Sequence, residues 1–191
     1  MDVETACPTP AEIAELASRI DRPLVLVGMM GCGKTTLGRK LAGLLGFGFV
    51  DADEEIERAA RMSVSEIFAT YGEACFRDGE RRVIARLIEQ ADGGKVIALG
   101  GGAFADPRTR RLVLDKALAI WLDCEVETLL ERVSRKDSRP LLRQGDPRET
   151  LTRLSAERSP AYAEAPIRVE SRPGPQQRTL IAILKALDEH R

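Results

Sequence analysis

Apolar residues in this chain occur in two alternating patterns, short unbroken runs and longer stretches spaced three or four apart. The unbroken runs are Leu24-Val25-Leu26-Val27, Val96-Ile97-Ala98-Leu99 and Leu118 to Leu122. Runs of this length, closed by glycine or charge, predict strands buried on both faces. Phe47 to Val50 and Ile167 to Val169 predict two shorter strands. Between them the spacing turns helical. Lys34 to about Leu45 puts Leu37, Leu41, Leu44 and Leu45 on one side and stops at Gly46. Helices are also predicted from about Asp53 to Arg61, Val64 to Thr70, Gly72 to Gln90, Pro107 to Leu114, Val126 to Ser134, Glu149 to Arg158 and Gln176 to Asp188. Ser63-x-x-Glu66 forms a capping box.

Ahead of the first strand, residues 1–8 read as a loose tail, and Thr9-Pro10-x-Glu12 is a second capping box. Ile13, Leu16, Ala17 and Ile20 follow at helical spacing, so residues 1–22 are expected to be an extension carrying one short amphipathic helix. Residues 135–148 contain Pro140, Gly145 and Pro147 amid strong charge. A long irregular stretch inside a compact domain is usually functional, so this one is expected to be a lid.

Strands alternating with helices imply a parallel sheet between helical layers, a three-layer α/β/α fold with five strands. With no internal repeat, 191 residues fit one domain over residues 23–191 with a small helical lobe, near residues 53–80.

Chemistry enters at Gly28-Met29-Met30-Gly31-Cys32-Gly33-Lys34-Thr35, which matches G-x-x-x-x-G-K-[ST] at every fixed position. It follows a buried strand and opens a helix, as a phosphate-binding loop requires. Glycines allow consecutive N–H groups to turn onto a phosphate, and the helix N-terminus adds its dipole. Lys34 is expected to reach the β- and γ-phosphates of ATP, and the Thr35 hydroxyl to sit on Mg²⁺. Gly28, Gly31, Cys32, Gly33 and Thr36 complete the expected nucleotide cradle. The third strand ends in glycine, without the metal-binding aspartate of P-loop ATPases and motors; Asp51 and Asp53 follow the second strand instead.

Ligands of open α/β sheets lie beyond the carboxyl ends of the strands. Asp51 and Asp53 are therefore expected near the γ-phosphate, able to orient an acceptor hydroxyl, take its proton or hold a metal-bound water. The plainer role for Asp53 is to cap the following helix. Gly100-Gly101-Gly102 makes a second backbone concavity at a strand end, suited to an anion or hydroxyls, though a plain turn would use the same residues. Arg77, taken alone, is a helix charge partnered by Glu80.

Composition narrows the partners. The 29 basic and 30 acidic side chains leave a net charge of −1, and only eight residues are aromatic (five Phe, two Tyr, one Trp). Neither fits nucleic-acid binding. The single histidine, His190, lies beside the C-terminus, which argues against an imidazole base or a histidine-ligated zinc. No asparagine occurs, which removes the magnesium-binding asparagine of protein kinases. Cys7, Cys32, Cys75 and Cys124 form no Cys-x-x-Cys pair and read as free thiols. With no signal-peptide pattern and no apolar run of membrane length, the expectation is a cytoplasmic monomer without a membrane partner.

Six pieces of the chain together resemble the shikimate kinase family, whose fold is similar to that of the nucleoside monophosphate kinases. They are Gly28–Thr35, Asp51-Ala52-Asp53, Phe76-Arg77 with Glu80, Gly100-Gly101-Gly102, Arg139-Pro140-Leu141-Leu142, and Glu157-Arg158-Ser159-Pro160-x-Tyr162. They occur in the family's order, and the resemblance covers about Pro23 to Leu187. The resemblance implies transfer of the ATP γ-phosphoryl group to the 3-hydroxyl of shikimate. It implies that Asp53 binds the acceptor hydroxyls and is the base. Arg77 and Arg158 would clamp the shikimate carboxylate beside Gly100, Gly101 and Gly102. Arg139 would close over the phosphates, Arg132 and Arg172 would lie near the adenine, and Asp51 would help Mg²⁺ through water. Cys32 lies within the cradle, where a thiol reagent is expected to block the site by bulk, and the lid sequence after Leu142 fits the family pattern only loosely. Two other readings share the cradle: a sugar-acid kinase such as gluconate kinase, and a nucleotide-driven switch or assembly ATPase.

Overall fold

The computed structural model describes residues 8–91, 93–134 and 146–190. Five strands form one sheet: β1 (Leu24–Val27), β2 (Gly48–Asp51), β3 (Lys95–Ala98), β4 (Leu118–Asp123) and β5 (Ile167–Glu170). Their order across the sheet is β2-β3-β1-β4-β5, and every pair is parallel. β1 lies in the middle, with Leu24 opposite Val96 on one side and Leu118 on the other. All four β1 residues are buried, as an unbroken apolar run requires.

Eight helices connect and cover the sheet among the described residues. They are α1 (Pro10–Arg19), α2 (Lys34–Leu45), α3 (Ala52–Ala60), α4 (Val64–Glu89), α5 (Pro107–Lys116), α6 (Val126–Ser134), α7 (Pro147–Tyr162) and α8 (Gln176–Glu189). α1, α2 and α8 pack on one another, α4 meets α5, and α6 meets α7. The result is the three-layer α/β/α arrangement expected from the alternation. Thr9 caps α1 with both halves of its capping box formed, and Ile13 and Leu16 are buried in the main core.

Several boundaries move for identifiable reasons. The helices expected at Val64 and Gly72 join as α4, but Gly72 at φ 77°, ψ 172° breaks the helical geometry between them. α7 starts at Pro147 because Asp146 accepts from the Arg148 N–H and proline suits the first helical position. It runs through Pro160 to Tyr162, four residues beyond the expected end, with the Tyr162 side chain buried. Leu44, placed by spacing on the apolar side of α2, is 44 % exposed.

A second apolar cluster stands apart from the main core. Ile56, Ile67 and Phe76 form it, with Met62, Val64, Phe68 and Val83 packed around. The Phe68 and Phe76 rings lie 4.4 Å apart. It belongs to α3 and the first part of α4, beside the carboxyl ends of β1, β2 and β3. There the strand order reverses about β1, which opens a crevice in a sheet of this type.

Candidate active site

Three loops meet at that crevice, and each follows from a strand end. The loop after β1 runs from Gly28 into the N-terminus of α2. Gly28 has φ 137°, and a side chain there would meet the Leu122 carbonyl oxygen at 2.6 Å, so β4 leaves room for nothing larger. Lys34 Nζ donates to the Gly28 and Met29 carbonyls at 2.8 and 2.9 Å, which holds the ammonium over its own loop. Cys32 is fully buried: its sulfur lies beneath Gly28, inside the core. This corrects the expectation that a thiol reagent would plug the cradle, because the folded chain offers the sulfur no exposed surface.

The β2 end settles which aspartate caps. Asp51 Oδ1 accepts from the Asp53 N–H at 3.0 Å and is the N-cap of α3. Asp53 is thereby released from the capping role that the sequence left open. Asp51 Oδ2 also accepts from the Thr35 hydroxyl at 2.7 Å, joining the two residues expected at a metal. Burial raises the Asp53 carboxyl above its ordinary value, and the charge of Asp51 pushes the same way against the pull of Lys34 and Arg77.

The glycine triplet after β3 supplies the rest. A side chain at Gly100 would lie 2.6 Å from Asp53 Oδ1, and one at Gly102 would lie 2.6 Å from an Arg77 terminal nitrogen. One at Gly101 would lie 3.2 Å from the Met30 amide nitrogen and 3.5 Å from an Arg158 terminal nitrogen. Each glycine thus yields space to a different neighbour, and a bare main chain is the condition for all three approaches. Arg77 is held in place by Glu80, which is buried and accepts from its guanidinium at 2.7 Å. Burial pushes the Glu80 carboxyl up while Arg77 pulls it down.

These side chains face one cleft of about 620 Å³. Of the residues expected to touch nucleotide, metal or acceptor, the cleft is lined by Gly31, Gly33, Lys34, Thr35, Thr36, Asp51, Asp53, Arg77, Gly100, Gly101, Gly102, Arg132 and Arg158. Val64, Phe68 and Phe76 give it an apolar wall from the smaller cluster. Gly28, Cys32 and Arg172 are not among the lining residues; the Arg172 guanidinium donates to Glu170 at 2.7 Å and its carbonyl accepts from Arg132 at 2.9 Å. Arg139 and most of the 135–148 stretch lie outside the described residues.

Two contributors gain their roles only from the structure. Tyr162 is buried and donates to the Gly101 carbonyl, with Met29 Sδ 3.9 Å from its oxygen. Burial raises its hydroxyl to about 12, so it remains a donor. Ser171, also buried, reaches the Cys32 carbonyl. The chain alone assigns neither of them a partner, since those partners lie 61 and 139 positions away.

The assembled geometry offers an anion cradle, a carboxylate of raised pKa and two arginines behind three glycines. Known proteins are similar to this chain over most of its length. The family model described as shikimate kinase matches residues 30–188. A shikimate kinase from Novosphingobium aromaticivorans is 60% identical over 191 residues, covering 99% of both chains. One from Caulobacter vibrioides is 53% identical over 173 residues, covering 91% of this chain and 86% of that protein. Among solved structures, the shikimate kinase from Acinetobacter baumannii in complex with shikimate superposes with a TM-score of 0.82 at 35% identity, over 91% of this chain and 97% of that one. A chain that carries the family's match over most of its length, and the family's fold, belongs to the shikimate kinase family, kinases that phosphorylate shikimate with ATP.

Proposed function

We propose that the cleft transfers the γ-phosphoryl group of ATP to the 3-hydroxyl of shikimate, giving shikimate 3-phosphate and ADP. One observation carries the assignment of roles: the glycine triplet sets Asp53, Arg158 and Arg77 against a single strip of main chain beside the phosphate loop. Arg77 and Arg158 pair with the shikimate carboxylate, because guanidinium forks match a planar carboxylate. That anchor turns the alcohol toward Asp53 and the γ-phosphorus. Asp53 accepts the hydroxyl proton as the new O–P bond forms and the bond to the bridging oxygen of ADP breaks. No covalent enzyme intermediate is needed; positioning and charge stabilisation supply the rate.

Thr35 Oγ1 and Asp51 suit Mg²⁺, which favours hard oxygens and takes one or two protein ligands beside substrate phosphates. Bound there, the ion would neutralise phosphate charge. We assign residues 53–80 to a shikimate-binding lobe within a single kinase domain over residues 23–191, on the strength of the separate apolar cluster. We also infer a cytoplasmic monomer without nucleic-acid or membrane partners. The near-neutral charge supports this, and among the described residues no helix is long and apolar enough to cross a membrane.

ADP release measured with no acceptor, shikimate, gluconate or a nucleoside monophosphate tests the reading. Release is expected with shikimate; release without an acceptor would point to the switch, and release with gluconate alone to the sugar-acid kinase. Within the site, Arg77→Ala is expected to raise the KM for shikimate by roughly 30- to 100-fold while the KM for ATP moves less than threefold, since a charge-assisted bidentate pair is lost on one ligand only. Equal losses for both ligands would remove Arg77 from the pocket. Gly102→Ala is subtler: the new methyl group collides with a guanidinium already held by Glu80. The KM for shikimate should rise by about tenfold with the melting temperature almost unchanged, as kinetics and thermal melts on the same variant would read.

A further inference from the structure

The phosphate loop is oriented from behind by a buried hydroxyl. The Cys32 carbonyl accepts from Ser171 Oγ at 3.0 Å and from Arg132 Nη1 at 3.3 Å. Ser171 Oγ in turn accepts from Arg132 Nη1 at 3.0 Å, so the three groups close a small ring beneath the loop. Ser171 is only 2 % exposed, and its own N–H is fixed to the Asp123 carbonyl at 2.6 Å. It therefore stands on two strand ends, β4 through that bond and β5 through the chain.

No described peptide bond is cis. In a trans peptide the C=O and N–H point in opposite directions. A Cys32 carbonyl drawn back onto Ser171 and Arg132 must send the Gly33 N–H the other way, toward the cleft that Gly31, Gly33 and Lys34 line. An N–H facing a phosphate is what the cradle supplies to an anion. Left without its donors, the same peptide could rotate and present a carbonyl oxygen to the phosphates.

We propose that Ser171 is a positioning residue for nucleotide binding: it holds the Cys32–Gly33 peptide with its N–H toward the phosphates and ties that peptide to the loop between β5 and α8. The inference rests on the reading of this cleft as an ATP site. Ser171 itself is not among the residues that line the cleft. Its effect belongs to the nucleotide alone, because the shikimate anchors stand on α4, α7 and the glycine triplet.

The test compares the wild-type enzyme with Ser171→Ala and with Ile183→Val, a core substitution on α8 that trims stability without touching the loop. The readouts are the Kd for ADP by calorimetry, the KM values for ATP and shikimate, and the melting temperature. Ser171→Ala should weaken ADP and raise the KM for ATP by about five- to tenfold, the loss expected when a buried carbonyl loses one of two donors. Its KM for shikimate should stay within twofold. Ile183→Val should leave all ligand constants unchanged at a comparable drop in melting temperature. An ADP affinity in Ser171→Ala within twofold of wild type would overturn the proposal, as would an equal loss for shikimate. A wild-type chain that failed to bind ADP would instead overturn the ATP-site reading beneath it.

Discussion

Lys34→Met is expected to lower kcat by about a thousandfold or more and leave the fold intact. Methionine keeps most of the side chain's length and removes its charge. Lys34 Nζ lies 2.8 Å from the Gly28 carbonyl and 2.9 Å from that of Met29, so the backbone itself aims the ammonium at the loop mouth. Phosphoryl transfer spreads negative charge over the oxygens of the moving group, and a fixed cation there stabilises the transition state more than the bound ground state. Loss of one such preorganised donor costs about 10²–10³ in kcat in other enzymes. A full unit charge facing a polyanion belongs at or above the top of that range. The KM for shikimate should change little, because the arginine clamp is built on other elements. Steady-state kinetics checks the first part and a thermal melt the second; a kcat within tenfold of wild type would remove Lys34 from the chemistry.

That prediction rests on residues whose role could be read from the chain alone. The phosphate loop was legible because its spacing is strict and its context, a buried strand before and a helix after, is itself legible from hydrophobic periodicity. The glycine triplet was only half legible. Three glycines announce that something approaches the main chain, but not that Asp53 meets Gly100, Arg158 meets Gly101 and Arg77 meets Gly102. Which of Asp51 and Asp53 caps α3 was undecidable locally, since either carboxylate can accept from a first-turn N–H. The fold decides it: Thr35, brought against Asp51 by the pairing of β2 beyond β3 and β1, fixes that carboxylate where it also caps. Ser171 was invisible, and Tyr162 entered only as the last residue of a family-like piece, with no partner assigned. A buried hydroxyl on a carbonyl has no periodicity and no composition cue, and its partner is chosen by the sheet order.

Asp53→Asn should lower kcat by roughly 10²–10⁴, the range for removing a positioned general base, and make the protein more stable at neutral pH. The two effects share a cause. Asn keeps the shape and an acceptor oxygen but takes no proton, so the acceptor alcohol loses its base while its position is largely retained. Burial disfavours the ionised form of Asp53, the Asp51 charge beside it adds to this, and its folded-state pKa lies above the unfolded one. A carboxyl shifted upward costs stability above the folded pKa. The cost shrinks as pH falls through that value and is gone below the unfolded one. The stability gain of Asp53→Asn should follow the same course, largest at neutral pH and fading in acid. In the wild-type enzyme, kcat/KM for shikimate should fall on the acid side with an inflection above the ordinary carboxylate value, and that inflection should be missing from whatever activity Asp53→Asn retains. Melting curves across the pH range and a kcat/KM profile read both. A stability gain largest in acid would show that Asp53 is not the group that folding strains, and a retained acid inflection that it is not the one that takes the proton. A site that holds a charge at a cost to the fold, and loses its chemistry when relieved of it, is the arrangement expected where binding energy and burial are spent to place a base.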